Sequence, residues 1–390
     1  MKRKKILFVY YTMMLGGSTT SLLSLLESLD YTKYDVDLLL YRNEGPYIND
    51  IPQQVNLLSQ ACVINNRIFQ IAKTVFNGTL IKAYVDGIKY CHKIKPIKQS
   101  MAYTQVSFCR KIEKEYDVAI GFLELWSDVF VNNCISAKKK VSWVHVDYEK
   151  AHMYPAIDKK MFAKSDCIVN VSTECLTNFN KAFPEYVNKS VYIPNILTKQ
   201  FLIKRLQGKC RDIENLCEGL KLVSACRLAI DHKGLDRGVT AIKRLIECGY
   251  DVKWYIIGDG PDKEKLNLLI EKNKMENNII LLGAMECPYI LYHNFDAFFV
   301  PSRFEGKPMA VTEAMMLDLP PIVAEYASAT EQIKNNYDGI IADNSEEGIF
   351  NSLKRVCEDP SILLTLKENM KNQSYDNNND IEKITMLLDN

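Results

Sequence analysis

At 390 residues, with 47% hydrophobic and 25% charged side chains, the chain can fill two cores of ordinary size and has too little excess charge to stay disordered. Forty-nine Lys and Arg against forty-eight Asp and Glu leave a formal net charge of +1, which gives no reason to expect nucleic acid as a partner. Twelve cysteines with no C-x-x-C pair, and five histidines with no paired spacing, argue against a disulfide framework and against structural zinc, and fit reduced thiols in a cytoplasmic protein.

The opening MKRKKILFVYYTMMLGG reads as a buried strand over 6–11 rather than a signal sequence, because the run is β-rich, meets Gly16-Gly17 and lacks a small-residue cleavage site. A helix is predicted over 19–29, with leucines at 22, 23, 25, 26 and 29. Gly16 and Gly17 make a tight turn between the two; they let backbone approach a ligand closely, or serve only as the turn. The next strand, 35–41, opens on Asp35-Val36-Asp37. This resembles a metal-binding D-x-D, but it lies at the start of a strand, away from the carboxyl end where open sheets bind ligands, so the aspartates are read as structural.

From 64 to 98 apolar residues recur at helical spacing around a break near Gly78, and the other positions carry Arg67, Lys73, Lys82, Lys89, Lys93, Lys95 and Lys98 against a lone Asp86. Such a basic amphipathic segment suits contact with an anionic membrane surface or an acidic acceptor, or is a solvated helical face. No apolar stretch is long enough to span a bilayer. Strands are predicted over 118–122 and 140–144, the second running into Trp143-Val144-His145, where His145 either touches substrate at the sheet's carboxyl edge or is a capped surface residue. Strands over 168–171 and 191–195 complete this half.

A polar, lysine-bearing connection over 197–206 marks the domain boundary, giving a first domain over 1–198 and a second over 199–375. The βα alternation then restarts: strands over 220–225, 254–257, 279–282, 297–300, 322–324 and 340–342, with Arg227 and Lys233-Gly234 on the loop leading to a helix over 235–248. Gly258-Asp259-Gly260 lacks the third glycine of G-x-G-x-x-G, which counts against a dinucleotide oxidoreductase. An Asn-rich linker and a last helix over 376–390 are expected to dock back on the first domain.

The richest stretch is FFVPSRFEGKPMAVTEAMMLDL, 298–319. A buried strand is broken by Pro301-Ser302-Arg303, a loop carries Glu305, Gly306 and Lys307, and Pro308 suits the first position of a helix. The unpaired N–H groups near Met309, Ala310 and Val311 lie at the positive end of a helix dipole, where a phosphate binds readily. Glu305 before that turn and Glu313 one turn into the helix can reach two parts of one ligand, the layout of a nucleotide-sugar site; the dipole alone also accounts for a glutamate early in a helix.

Taken in order, Gly16-Gly17, the WVH ending in His145, the IPN of Ile193 to Asn195, Arg227 with Lys233-Gly234, the GDGP of Gly258 to Pro261, and SRFEGKPMAVTEA with its E-x7-E spacing resemble glycosyltransferase family 4, the retaining GT-B enzymes of bacterial polysaccharide synthesis. The resemblance implies an α/β chain of two doubly wound Rossmann-like domains facing across a cleft. It implies that Arg227 and Lys233 hold the donor diphosphate and that Glu313 binds the ribose. Glu305 meets the donor sugar, with the backbone of Gly306, Lys307, Pro308, Met309 and Ala310 close by; His145 approaches the sugar and Met285 lies near the base. Two cations and a helix N-terminus stand in for a metal, so neither metal nor cofactor is expected. Cys226 where many relatives have glycine, EGKP in place of EGFG, and the absent glycines near 327–330 are departures.

The leading expectation is therefore transfer of a sugar from a nucleoside-diphosphate sugar, a UDP-sugar favoured, to a growing, lipid-linked cell-surface glycan at the cytoplasmic membrane face. The alternatives are a non-catalytic GT-B subunit that stabilises a partner enzyme, and an epimerase or phosphorylase on the same fold. Lys233→Ala is expected to weaken nucleotide binding with the melting temperature nearly unchanged.

Overall fold

A computed structural model describes residues 2–59, 94–107, 109–206 and 218–390. Residues 64–93 of the basic amphipathic segment lie outside the described residues; the remainder opens the helix Ile94–Ser107. Among the described residues no helix is long and apolar enough to cross a membrane. The chain divides into two compact units, Met1–Ile196 with Asn378–Asn390, and Leu197–Asn377.

The first unit holds seven strands: β1 Lys4–Tyr10, β2 Tyr34–Leu40, β3 Asn56–Leu57, β4 Ile112–Gly121, β5 Ile135–Val144, β6 Cys167–Asn170 and β7 Ser190–Tyr192. All pairings are parallel, in the order β3-β2-β1-β4-β5-β6-β7. The carboxyl ends of β1, β2 and β4 are continuous apolar runs because helices cover both faces of a parallel sheet. β4 and β5 begin several residues earlier than their apolar runs suggest. Their amino halves, with Glu113, Lys114, Glu115, Lys138 and Lys139, lie at the solvated amino edge and carry no apolar signal. Asp37 is buried, and its carboxylate accepts from Lys114 Nζ at 2.7 Å, Tyr116 Oη at 2.6 Å and Asn56 Nδ2 at 2.9 Å. Its role is structural, linking β2 to β3 and β4.

The last helix, Asn378–Asp389, packs on this same unit through Ile384 and Leu388. Lys4 Nζ donates to the Leu388 carbonyl at 3.2 Å and Lys139 Nζ to the Leu387 carbonyl at 2.8 Å. Two ammonium groups at a helix carboxyl end satisfy its orphan carbonyls and match its dipole.

The second unit holds β8 Leu220–Ala225, β9 Val252–Ile257, β10 Ile279–Gly283, β11 Ala297–Val300, β12 Pro321–Ala324 and β13 Ile340–Ala342. They too are parallel, in the order β10-β9-β8-β11-β12-β13. Buried Trp254 on β9 donates its indole N–H to Ser224 Oγ on β8 at 2.8 Å, and that hydroxyl donates to the Phe299 carbonyl on β11. In both sheets the order reverses beside the first strand of the unit. A crevice for ligand opens outside the carboxyl ends at such a switch point. In the second unit it lies between the loop after β8 and the loop after β11.

Candidate functional site

Loop 301–308 is held by side chains from four directions. Arg237 donates to the Pro301 carbonyl at 2.7 Å, Asn344 Nδ2 to the Arg303 carbonyl at 3.0 Å, Ser328 Oγ to the Gly306 carbonyl, and Gln332 Nε2 to the Pro308 carbonyl at 3.2 Å. The Arg303 guanidinium forks onto Asp236 at 2.8 and 2.6 Å. Backbone that would otherwise be free at a turn is thus fixed in one geometry, as a preorganised site requires.

The loop after β8 approaches it closely. Gly234 has φ +59, and a Cβ there would lie 1.9 Å from the Pro301 carbonyl oxygen. Only glycine combines that left-handed conformation with that contact. Gly258, with φ +149, plays the same part behind the loop, since a Cβ would meet the Cys226 carbonyl oxygen at 1.9 Å. The GDG stretch therefore shapes the loop that carries Arg227. Burial pushes the Cys226 thiol up to about 12 despite nearby Lys233, so it behaves as an apolar side chain that packs on the core.

These contacts bring Glu305 and Lys233 together. Lys233 Nζ donates to Glu305 Oε1 at 2.7 Å, and Ser302 Oγ donates to the same oxygen at 2.6 Å. Glu305 is 8% exposed, so the carboxylate is held almost entirely by protein partners. This pair changes the expectation for Lys233→Ala. Removing the ammonium strands a buried carboxylate, so stability falls instead of staying nearly unchanged. Arg227 stands exposed at the carboxyl end of β8, and no ion pair engages it among the described residues. Met285 is half-buried just beyond β10, on the same edge of the sheet.

Pro308 is the residue before the helix rather than its first residue. Its φ of −67° and ψ of 117° are extended, and the helix runs Met309–Met316. The Pro308 carbonyl accepts the Val311 N–H at 3.2 Å, so the amides of Met309 and Ala310 are the ones that the first turn leaves without a helical acceptor. Glu313, on the same helix, is buried, and burial pushes its carboxyl from 4.5 up to about 7, against the opposing pull of the Arg205 guanidinium. The folded state then binds this proton more tightly than the unfolded chain. The stability contributed is full below about pH 4.5 and is lost as pH rises to about 7. Glu313→Gln is expected to flatten that decline and to raise unfolding free energy at pH 8 by about 3 kcal/mol, measured by denaturant titration across pH 4 to 8.

In the first unit Gly16 precedes the helix Gly17–Ser28, with φ 163° and nothing within 4 Å of where a Cβ would stand. The backbone there is extended, so no tight turn demands a glycine; both glycines are exposed at the start of the helix. His145 follows β5 as expected, and its backbone N–H donates to Glu124 Oε2 at 3.0 Å. Both ring nitrogens are buried, beside the Phe122 carbonyl and Asn195. Burial lowers the imidazole to about 4, which keeps it neutral above that pH and suits it to hydrogen bonding rather than to acid catalysis. Burial also raises the Glu124 carboxyl. Neighbouring Leu125 has φ 71°, a costly conformation for a branched side chain.

Glu124, His232 and Arg205 carry no signal in the one-dimensional pattern. Ser302 alone had a cue, three residues before Glu305 on the same loop.

Residues 213–376 match the family model described as glycosyl transferases group 1. Among curated proteins the chain is 28% identical to an uncharacterized glycosyltransferase of Methanocaldococcus jannaschii over 45% of this chain and 43% of that one. It is 30% identical to the UDP-Gal:alpha-D-GlcNAc-diphosphoundecaprenol alpha-1,3-galactosyltransferase of Escherichia coli over 36% of each. The chain thus aligns with less than half the length of these relatives. Of solved structures, HepE of Anabaena in complex with UDP and glucose superposes with a TM-score of 0.71 at 15% identity, covering 99% of both chains. The apo lipopolysaccharide outer core galactosyltransferase WaaB does so with a TM-score of 0.61 at 14% identity, covering 98% of both. With its two parallel, doubly wound sheets, the chain has the GT-B fold, and its second unit carries the stretch that matches glycosyl transferases group 1.

Proposed function

We propose that the protein is a retaining, metal-independent glycosyltransferase of glycosyltransferase family 4, moving a sugar from a UDP-sugar to a growing lipid-linked cell-surface glycan. The observation that carries this reading is the buried Lys233–Glu305 pair at the switch point of the second sheet, just before the N-terminus of the Met309–Met316 helix. Lys233, Arg227 and the amides of Met309 and Ala310 hold the diphosphate, with Gly306, Lys307 and Pro308 shaping the approach. Glu313 takes the ribose hydroxyls and Met285 lies by the base. Glu305 faces the positive charge that develops on the sugar ring as the bond from the anomeric carbon to phosphate oxygen breaks. The nucleoside diphosphate leaves with the bonding pair. The acceptor hydroxyl attacks the same face, and its proton passes to the departing phosphate.

Two cations and a helix N-terminus supply the charge that a metal would otherwise bring. His145 is assigned to the sugar as a neutral hydrogen-bonding group, and Gly16-Gly17 to a close approach of the donor. The E. coli relative, named for an acceptor on diphosphoundecaprenol, supports the lipid-linked acceptor. The basic segment 64–98 is assigned to the inner face of the cell membrane, with the protein otherwise cytoplasmic.

Calorimetric titration of the full chain with UDP, GDP, CMP and NAD, with and without chelator, tests the site. One nucleoside diphosphate is expected to bind, and chelator to leave its affinity unchanged. Absence of binding by all four would overturn the reading in favour of a non-catalytic GT-B subunit.

A further inference from the structure

The two oxygens of Glu305 have different surroundings. Oε1 receives both Lys233 Nζ at 2.7 Å and Ser302 Oγ at 2.6 Å, whereas Oε2 faces Nε2 of His232 at 3.9 Å. That separation exceeds a hydrogen bond by one small side-chain adjustment. The His232 ring is held for it. It lies parallel to Phe304, with ring centroids 4.4 Å apart and planes 10° from parallel, and the His232 carbonyl accepts the Arg303 N–H at 3.1 Å. Each of these two contacts joins the residue beside Lys233 to a residue next to Glu305 or two before it.

Lys233 carries two demands on the reading above, on which this inference rests: it is the cation of buried Glu305 and a cation for the donor diphosphate. As its ammonium turns to the phosphates, Glu305, itself 8% exposed, loses charge compensation, and a buried carboxylate without a cation is costly. We propose that His232, oriented by Phe304, is a positioning residue that takes over Glu305 when the donor draws Lys233 away, so that donor binding is coupled to uptake of a proton by this imidazole.

The charged groups around His232 are consistent with that direction. Asp236 is neutralised by its fork with Arg303, whose guanidinium also donates to the Asp231 carbonyl at 3.1 Å. Asp231 and Lys233 flank His232 in sequence, and Glu305 faces it. Of these, the one that changes its charge balance on donor binding is the Lys233–Glu305 pair. Uncovering the Glu305 carboxylate favours imidazolium over imidazole. The proton comes from solvent, and no bond in the donor is altered.

The test is calorimetry at pH 7 with UDP-glucose, whose diphosphate has no proton to exchange near neutrality, in two buffers of different ionisation enthalpy. The full chain is expected to take up roughly half a proton per donor bound. His232→Gln, which keeps an amide donor without a titrating proton, and His232→Phe, which keeps the stack, are both expected to bind donor with the uptake lost. Glu305→Gln is expected to bind with uptake strongly reduced, and this arm also separates His232 from Glu313, whose own titration all three variants retain. Donor binding with no proton uptake by the unmodified chain would overturn the proposal and leave the donor site standing. Uptake that persists in Glu305→Gln would show the diphosphate itself drawing the proton, and would overturn it too. Failure of UDP-glucose and UDP alike to bind would overturn the donor site, and this proposal with it.

Discussion

Glu305→Gln is expected to lower turnover roughly a hundredfold to a thousandfold, the usual cost of removing one preorganised electrostatic group from a reaction centre, while affinity for free UDP stays within about twofold. The amide keeps the size of the carboxylate and still accepts from Ser302, so the loop that 301–308 forms is retained. What is lost is the negative charge, and on the proposed reading that charge matters only as the sugar ring becomes positive. An interaction made only in the transition state lowers turnover without weakening ground-state binding. Steady-state kinetics beside a UDP titration separates the two. Full turnover in the variant would remove Glu305 from the chemistry, whereas a parallel loss of UDP affinity would place it at the nucleotide instead.

Lys233→Ala is expected to fail twice. Loss of a charge-assisted contact to the diphosphate should weaken UDP binding about tenfold to a hundredfold. Loss of the partner of a carboxylate that is 8% exposed should also lower unfolding free energy by about 2 kcal/mol, less than for a fully enclosed pair because Lys233 itself retains 17% exposure. The two effects are separable. Adding Glu305→Gln removes the stranded charge, so the double variant is expected to regain most of the stability and none of the affinity, a strongly non-additive cycle of the kind that contacting residues show. Additive stabilities would mean that the pair does not hold the two loops. Unchanged UDP affinity would sink the assignment of Lys233 to phosphate.

Much of the architecture is legible along the chain. The runs at 220–225, 297–300 and 340–342 are the strands β8, β11 and β13 residue for residue, because a strand covered on both faces is mostly apolar and the turn residues after it mark its end. The strand, loop and helix around Glu305 are legible for the same reason, as is the structural role of Asp37. The charged beginnings of β4 and β5 are not, since a solvated sheet edge imposes no apolar pattern, and the two-residue β3 is too short to show one.

The tertiary structure alone decides who meets whom. Lys233 and Glu305 are 72 residues apart in sequence, and what joins them is the pairing of β8 with β11, which sets their two following loops side by side. The same adjacency turns Gly234 from a plausible turn residue into one that the Pro301 carbonyl requires, and brings His232 to Glu305. Burial is likewise a property of the packed chain. The sequence placed His145 and Glu313 at carboxyl-edge and helix positions, but only the surrounding protein lowers the imidazole to about 4 and lifts the carboxyl to about 7, because desolvation depends on every neighbour at once and on none that the linear order names.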